Sequence, residues 1–207
     1  MSAADRAAPL IDVTAPPEDL ARAETTVPLA ADAAFDFICA VERLLRLNPH
    51  LEIEAWQALP TGFRLAARNE LNEHRGESVV TVSADRGTRT LSLRYAGGLK
   101  RATILRVEPD TAGARLVATD HYPRIDDPLD PVLAEVDRGL IPWVAAIRRH
   151  LVNRRRWGWL PGWRWWHERF LPGMPPRHRR IVRMMVWISV IEFALFVAAV
   201  LVLRAAA

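Results

Sequence analysis

The chain is 207 residues long, 50% hydrophobic and 25% charged, with a formal net charge of +4. That length suits one medium domain with an appendage, and the apolar half excludes a wholly disordered chain. A single cysteine, Cys39, excludes an internal disulfide framework and a cysteine-built metal site.

Residues 1–23, rich in alanine, proline and acids, read as a flexible leader without the basic start and apolar block of a signal peptide. Regular patterning begins near Glu24, where Thr25, Val27 and Leu29 alternate as a short strand. Residues 31–47 carry Phe35, Ile38, Val41, Leu44 and Leu45 at helical spacing, as one helix or two short ones, stopped by Asn48-Pro49. Six strand-like runs follow, at about 51–59, 62–71, 76–84, 88–96, 100–108 and 113–122. The turns between them, such as Asp85-Arg86-Gly87 and Gly97-Gly98, are short enough to imply an antiparallel meander. Leu129, Val132, Leu133, Val136, Leu140, Trp143, Val144, Ile147 and Leu151 then mark one face of a long helix over about 129–152, which Gly139 and Pro142 would bend.

The charge is unevenly spread. Residues 1–147 hold 16 basic and 22 acidic side chains, whereas residues 148–183 hold 11 arginines against Glu168 alone. Only one of the 28 basic residues, Lys100, is a lysine, an imbalance that genomic base composition explains more simply than arginine-specific recognition. Within the basic stretch, residues 154–183 also carry Trp157, Trp159, Trp163, Trp165 and Trp166. Tryptophan favours the headgroup boundary, and interleaved arginines attract anionic lipid. Basic–aromatic interleaving also suits single-stranded nucleic acid, but the apolar run directly after it favours the membrane and argues against a nucleic-acid partner. That run, residues 184–203, MMVWISVIEFALFVAAVLVL, is 20 residues long with one ionisable side chain, Glu192. As a helix it is about 30 Å long, enough to cross a bilayer. Prolines and glycines should divide 154–183 into short helical pieces on the membrane surface.

Arg177, Arg179, Arg180 and Arg183 precede the span and only Arg204 comes after it. By the positive-inside rule the domain faces the cytoplasm and the span is a single-pass tail anchor. Arginine and alanine usage points to the inner membrane of a bacterium. Glu192, near the middle of the span, is either a protonated passenger or a contact with a second membrane protein.

The order strand, short helices, six antiparallel strands, long helix, together with the opening VPLAADAAFDFICAVERLLRLNPHLE at residues 27–52, resembles the START-like, or Bet v 1-like (SRPBCC, polyketide cyclase-like), superfamily over about residues 24–153. That resemblance implies an α+β helix-grip fold, with a seven-stranded curved antiparallel sheet around a long helix. It also implies a pocket for an apolar or amphipathic ligand, such as a lipid, isoprenoid or polyketide. Members of the superfamily bind, carry, regulate partners or act as cyclases and hydrolases, and the fold does not choose among these.

No nucleophile elbow, zinc-binding helix or phosphate-cradling glycine loop occurs, so neither a catalytic residue nor a cofactor or metal is expected. The apolar pocket candidates are Trp56, Phe63, Leu65, Leu93, Tyr95, Ile104, Trp143 and Ile147, each of which could equally be plain core. The polar candidates are Asn69, Arg94 and His121. Alternation places Thr119 and His121 on one face and Asp120 and Tyr122 on the other, and a one-residue slip reverses the assignment. If Thr119 and His121 face inward, His121 could bind a ligand headgroup or act as a base. The expected protein is a non-enzymatic, membrane-anchored carrier; a cyclase or hydrolase and a membrane-recruited interaction module are the alternatives.

Overall fold

The computed structural model describes residues 18–125, 127 and 138–206. Seven strands make one sheet: β1 (Glu18–Val27), β2 (Leu51–Leu59), β3 (Gly62–Asn69), β4 (Arg75–Asp85), β5 (Thr90–Ala96), β6 (Ala102–Asp110) and β7 (Gly113–Pro123). Their spatial order is β1-β7-β6-β5-β4-β3-β2, with every described pairing antiparallel. The meander runs from β2 to β7, and β1 returns beside β7. The link between the two edges of the sheet is α1 (Ala31–Cys39) and α2 (Val41–Arg46), separated at Ala40.

The strand β1 starts at Glu18, six residues earlier than the side-chain pattern indicates. Residues 18–22 are mostly exposed, Leu20 among them, and their order comes from backbone pairing with residues 119–123 of β7 rather than from burial. At the other end of that strand pair Gly113 has φ +137°, and a Cβ there would clash with the Val27 carbonyl oxygen. Only glycine permits the close approach of β7 to β1 at this point.

The concave face of the sheet is filled by α1, α2 and α3 (Leu140–Trp157). Leu140, Trp143, Val144, Ile147 and Leu151 recur every three or four residues along α3 and are all buried. They meet Phe35, Ile38, Leu44, Phe63, Leu91, Leu93, Leu105 and Leu116 in one continuous core. Gly139 and Pro142 do not bend this helix. Gly139 caps it and Pro142 sits in its first turn, where the missing N–H would have had no partner. The expected helical positions Leu129, Val132, Leu133 and Val136 lie outside the described residues.

Beyond α3 the chain makes a π-helical turn (Trp165–Phe170) and a 3-10 turn (Leu171–Gly173) before α4 (Pro176–Ala206). The π turn fans Trp165 and Trp166 onto Phe170, with ring centroids 5.2 and 4.8 Å apart. Along α4 the apolar side chains face outward, with Trp187 and Phe193 each 68% exposed, and the helix is long and apolar enough to cross a membrane. Glu192 is exposed on the same helix.

Candidate functional site

A cavity of about 360 Å³ opens between β3, β4, the β5–β6 turn and the helices α2 and α3. Leu45, Leu51, Leu65, Ala67, Tyr95 and Trp143 supply its apolar wall. Trp143 is held by its indole N–H, which donates to the Leu44 carbonyl at 2.9 Å. The rim is the Gly97-Gly98 turn, where both residues have positive φ (+89° and +80°). Two left-handed residues in succession reverse the chain tightly enough to fold Lys100 back over the cavity.

At the rim lies a polar cluster. Asp120 and Thr103 are fully buried and directly paired across β6 and β7. The Thr103 hydroxyl donates to Asp120 Oδ1 at 2.5 Å, and Lys100 Nζ meets Oδ2 at 2.8 Å. Tyr122 donates to the same carboxylate at 3.4 Å. Since the Thr103 proton points to Asp120, the Tyr95 hydroxyl, 3.3 Å away, is the donor to Thr103. A carboxylate stripped of water is tolerable only when paired and hydrogen-bonded in this way. Lys100 and Tyr95 line the cavity, so this network offers a cation and a hydroxyl to whatever occupies it.

Of the residues proposed from the sequence, Leu65, Asn69, Tyr95 and Trp143 line this cavity. Phe63, Leu93 and Ile147 are 2%, 0% and 0% exposed and fill the sheet–helix core instead. Trp56 is half-buried on β2, stacked on Phe63 at 4.0 Å. Arg94 and Ile104 lie on the convex face, because the buried positions of β5 and β6 are Leu91, Leu93, Thr103, Leu105 and Val107. His121 is corrected in the same way: Asp120 and Tyr122 point inward, and His121 Nδ1 lies 2.7 Å from Glu18 on the outer face. Sequence reasoning passes over Lys100 and Thr103 as site residues and reaches Asp120 only as the neighbour of His121 on the opposite face. A signal for Asp120 exists, since exposed Arg115 fixes the parity of Leu116, Ala118, Asp120 and Tyr122 as inward.

The basic tryptophan segment is not uniformly presented. Trp159 and Trp165 are 74% and 56% exposed, Trp157 is partly exposed, and Trp163 and Trp166 are half-buried. Arg177 is exposed. Arg179 is a correction: it is buried, and its guanidinium donates to the carbonyls of Arg46, Met174 and Pro172. Arg180 pairs with Glu70 at 2.7 Å and donates to the Pro49 carbonyl at 3.2 Å. The foot of α4 is thereby fastened to the corner between α2 and β2, beside the cavity residues Leu45, Asn48 and Leu51. Among the described residues no group of three or more potential ligands could hold a metal ion.

The architecture superposes on the aromatase/cyclase ZhuI from Streptomyces sp. R1128 with a TM-score of 0.53 and 15% identity, over 69% of this chain and 98% of that one. It superposes equally on a norcoclaurine synthase point mutant from Thalictrum flavum, with a TM-score of 0.53 and 14% identity, over 68% and 98% of the two chains. The fold is the START-like, or Bet v 1-like, helix grip. At these identities the helix-grip likeness fixes the fold and carries no residue roles. No family model and no curated protein matches the chain. Both helix-grip neighbours are almost fully covered, while about a third of this chain lies outside the superposition.

Proposed function

We propose that the protein is a membrane-anchored binding protein or carrier for an apolar or amphipathic small molecule, a lipid, isoprenoid or polyketide-like compound held in the helix-grip cavity. The observation that carries this reading is the cavity itself: an apolar wall with one cation–hydroxyl cluster at the rim, the pattern of a site that takes a greasy body and orients one polar end. The helix-grip neighbours, an aromatase/cyclase and a norcoclaurine synthase bound to a transition-state analogue, are consistent with a small-molecule site in this fold.

Membrane anchoring is supported by the exposed apolar surface of α4 and the arginines at its foot. Anionic lipid would then attract the exposed part of the tryptophan–arginine segment. Since Arg179 and Arg180 fasten α4 next to the cavity mouth, anchoring would bring that mouth to the membrane surface, where an apolar ligand is concentrated.

A second reading, a cyclase- or hydrolase-type enzyme, is favoured by Lys100, whose ammonium meets both Asp120 and the cavity and could move a proton at a bound ligand. The test is native mass spectrometry with solvent extraction on the full chain purified from its own membranes. A defined apolar molecule is expected on the wild type and absent from Ala67→Trp, which fills the cavity. Bulk phospholipid alone, equal in the two proteins, would refute the binding site. If the ligand changes mass on incubation, and Lys100→Arg binds it but stops the change, the enzyme reading wins. Arginine keeps the ion pair but not a readily shed proton.

A further inference from the structure

A second cavity, of about 560 Å³, lies between α3, the tryptophan segment and the foot of α4, outside the helix grip. Among the described residues that line it there are four arginines, two histidines and four tryptophans, and no aspartate or glutamate. Two of the arginines are already committed, Arg179 to three main-chain carbonyls and Arg180 to Glu70 and Pro49. Arg149 and Arg183 differ. Both line the cavity, their charges repel one another, and neither has an acidic partner within ion-pair distance among the described residues.

His150 stands beside them, nine-tenths buried, with Nε2 shut off from solvent and without a hydrogen-bond partner. A buried orphan of this kind needs explaining, because an unmade hydrogen bond in the interior is costly. Burial holds His150 neutral, so the ring can present a single N–H to an acceptor. One turn beyond Arg183, about 6 Å along α4, Val186 and Trp187 continue the lining onto the outward apolar surface of the helix. One end of the cavity is cationic and the other runs onto the apolar helix.

We propose that this cavity binds the phosphate of an anionic lipid between Arg149 and Arg183. His150 donates to one phosphate oxygen, and the acyl chains leave past Val186 and Trp187 along α4. Two guanidiniums and one N–H match the several oxygens of a phosphate. The tryptophan walls and the apolar exit fit a lipid rather than free phosphate. The site rests on the reading of α4 as a membrane span, but takes a ligand of different chemistry from that of the helix-grip cavity.

The test is a native mass spectrometry titration of the full chain in maltoside micelles. The probes are dioleoyl phosphatidate, dioleoyl phosphatidylcholine and soluble glycerol 3-phosphate. Phosphatidate should bind one to one, at least tenfold tighter than phosphatidylcholine, and glycerol 3-phosphate should not displace it. Arg149→Gln/Arg183→Gln should weaken phosphatidate at least tenfold. Arg169→Gln/Arg177→Gln removes the same charge from exposed arginines that do not line the cavity and should change binding less than twofold. If the first pair misfolds, Ala146→Trp blocks the same cavity and must abolish the bound lipid. Equal losses in the two arginine pairs would overturn the site in favour of diffuse attraction, and displacement by glycerol 3-phosphate would overturn the lipid. Release of the wild type from native membranes by alkaline carbonate would sink the span reading alone, since the micelle titration needs no bilayer.

Discussion

The ion pair between Lys100 and Asp120 allows a quantitative test of the cavity rim. Lys100→Met keeps the apolar bulk of the stem and removes the charge, leaving a carboxylate that is 0% exposed with only hydroxyl donors. At 2.8 Å and an effective dielectric of about 20 the lost attraction is about 6 kcal/mol gross. Relief from desolvating the amine returns part of that, and breaking buried pairs typically costs about 3–5 kcal/mol. The Lys100 side chain is 20% exposed, so water reaches it and the lower end applies, about 3 kcal/mol. For a chain of this size that lowers Tm by roughly 6–12 °C. Thermal unfolding of the full chain in detergent, followed by near-ultraviolet circular dichroism of its buried tryptophan, reads the shift. Lys100→Met/Asp120→Leu removes both charges and should recover most of the loss. A single variant within about 1 kcal/mol of wild type, or a double variant no better than the single, would refute the argument.

Three further outcomes are expected. Burial holds His150 down at about 4, below its unfolded value near 6.5, so the folded state binds fewer protons between those values. Stability present above pH 6.5 should therefore fall away toward pH 4 by on the order of 3 kcal/mol, and His150→Leu should flatten that limb in a Tm-against-pH series; parallel curves would contradict this. Gly113→Ala forces a Cβ against the Val27 carbonyl and a strained φ, costing roughly 2–3 kcal/mol by the same thermal assay, and an unchanged midpoint would show that β7 can retreat from β1. On the anchoring proposal, protease added outside intact spheroplasts should leave residues 24–150 uncut until the cells are lysed, and cleavage before lysis would reverse the orientation.

The fold was more legible than the site, for reasons visible in particular residues. Turn chemistry at Asp85-Arg86-Gly87 and Gly97-Gly98 announces consecutive hairpins, and the three-to-four spacing of Trp143, Val144, Ile147 and Leu151 announces the gripped helix. Both signals are local, so the sequence exposes them. The early start of β1 was hidden because an edge strand held by backbone pairing needs no apolar alternation. His121 attracted attention as a titratable residue, but its parity is set by Arg115 and Glu18, which hold it outside, while Asp120 beside it faces in. The meeting of Lys100, in the β5–β6 turn, with Thr103 and Asp120 on the paired strands β6 and β7 crosses a hairpin turn, and nothing in their spacing alone predicts it. Composition likewise could not separate Arg179, which binds carbonyls inside the protein, from exposed Arg177 two positions earlier.

The carbonyl grip of Arg179 has a mechanical consequence. It binds the α2 end at Arg46 and the turn at Pro172–Met174 to the same guanidinium, which makes the base of α4 a bracket rather than a rope. A domain on a rope samples every heading above a surface, whereas a domain on a bracket inherits the inclination of its post. In a bilayer the inclination of a helix follows the local hydrocarbon thickness, because a long apolar stretch tilts until it fits. Thinner lipid would lean the helix further and turn the cavity mouth with it, so that the composition of the membrane would set the compass bearing of the pocket.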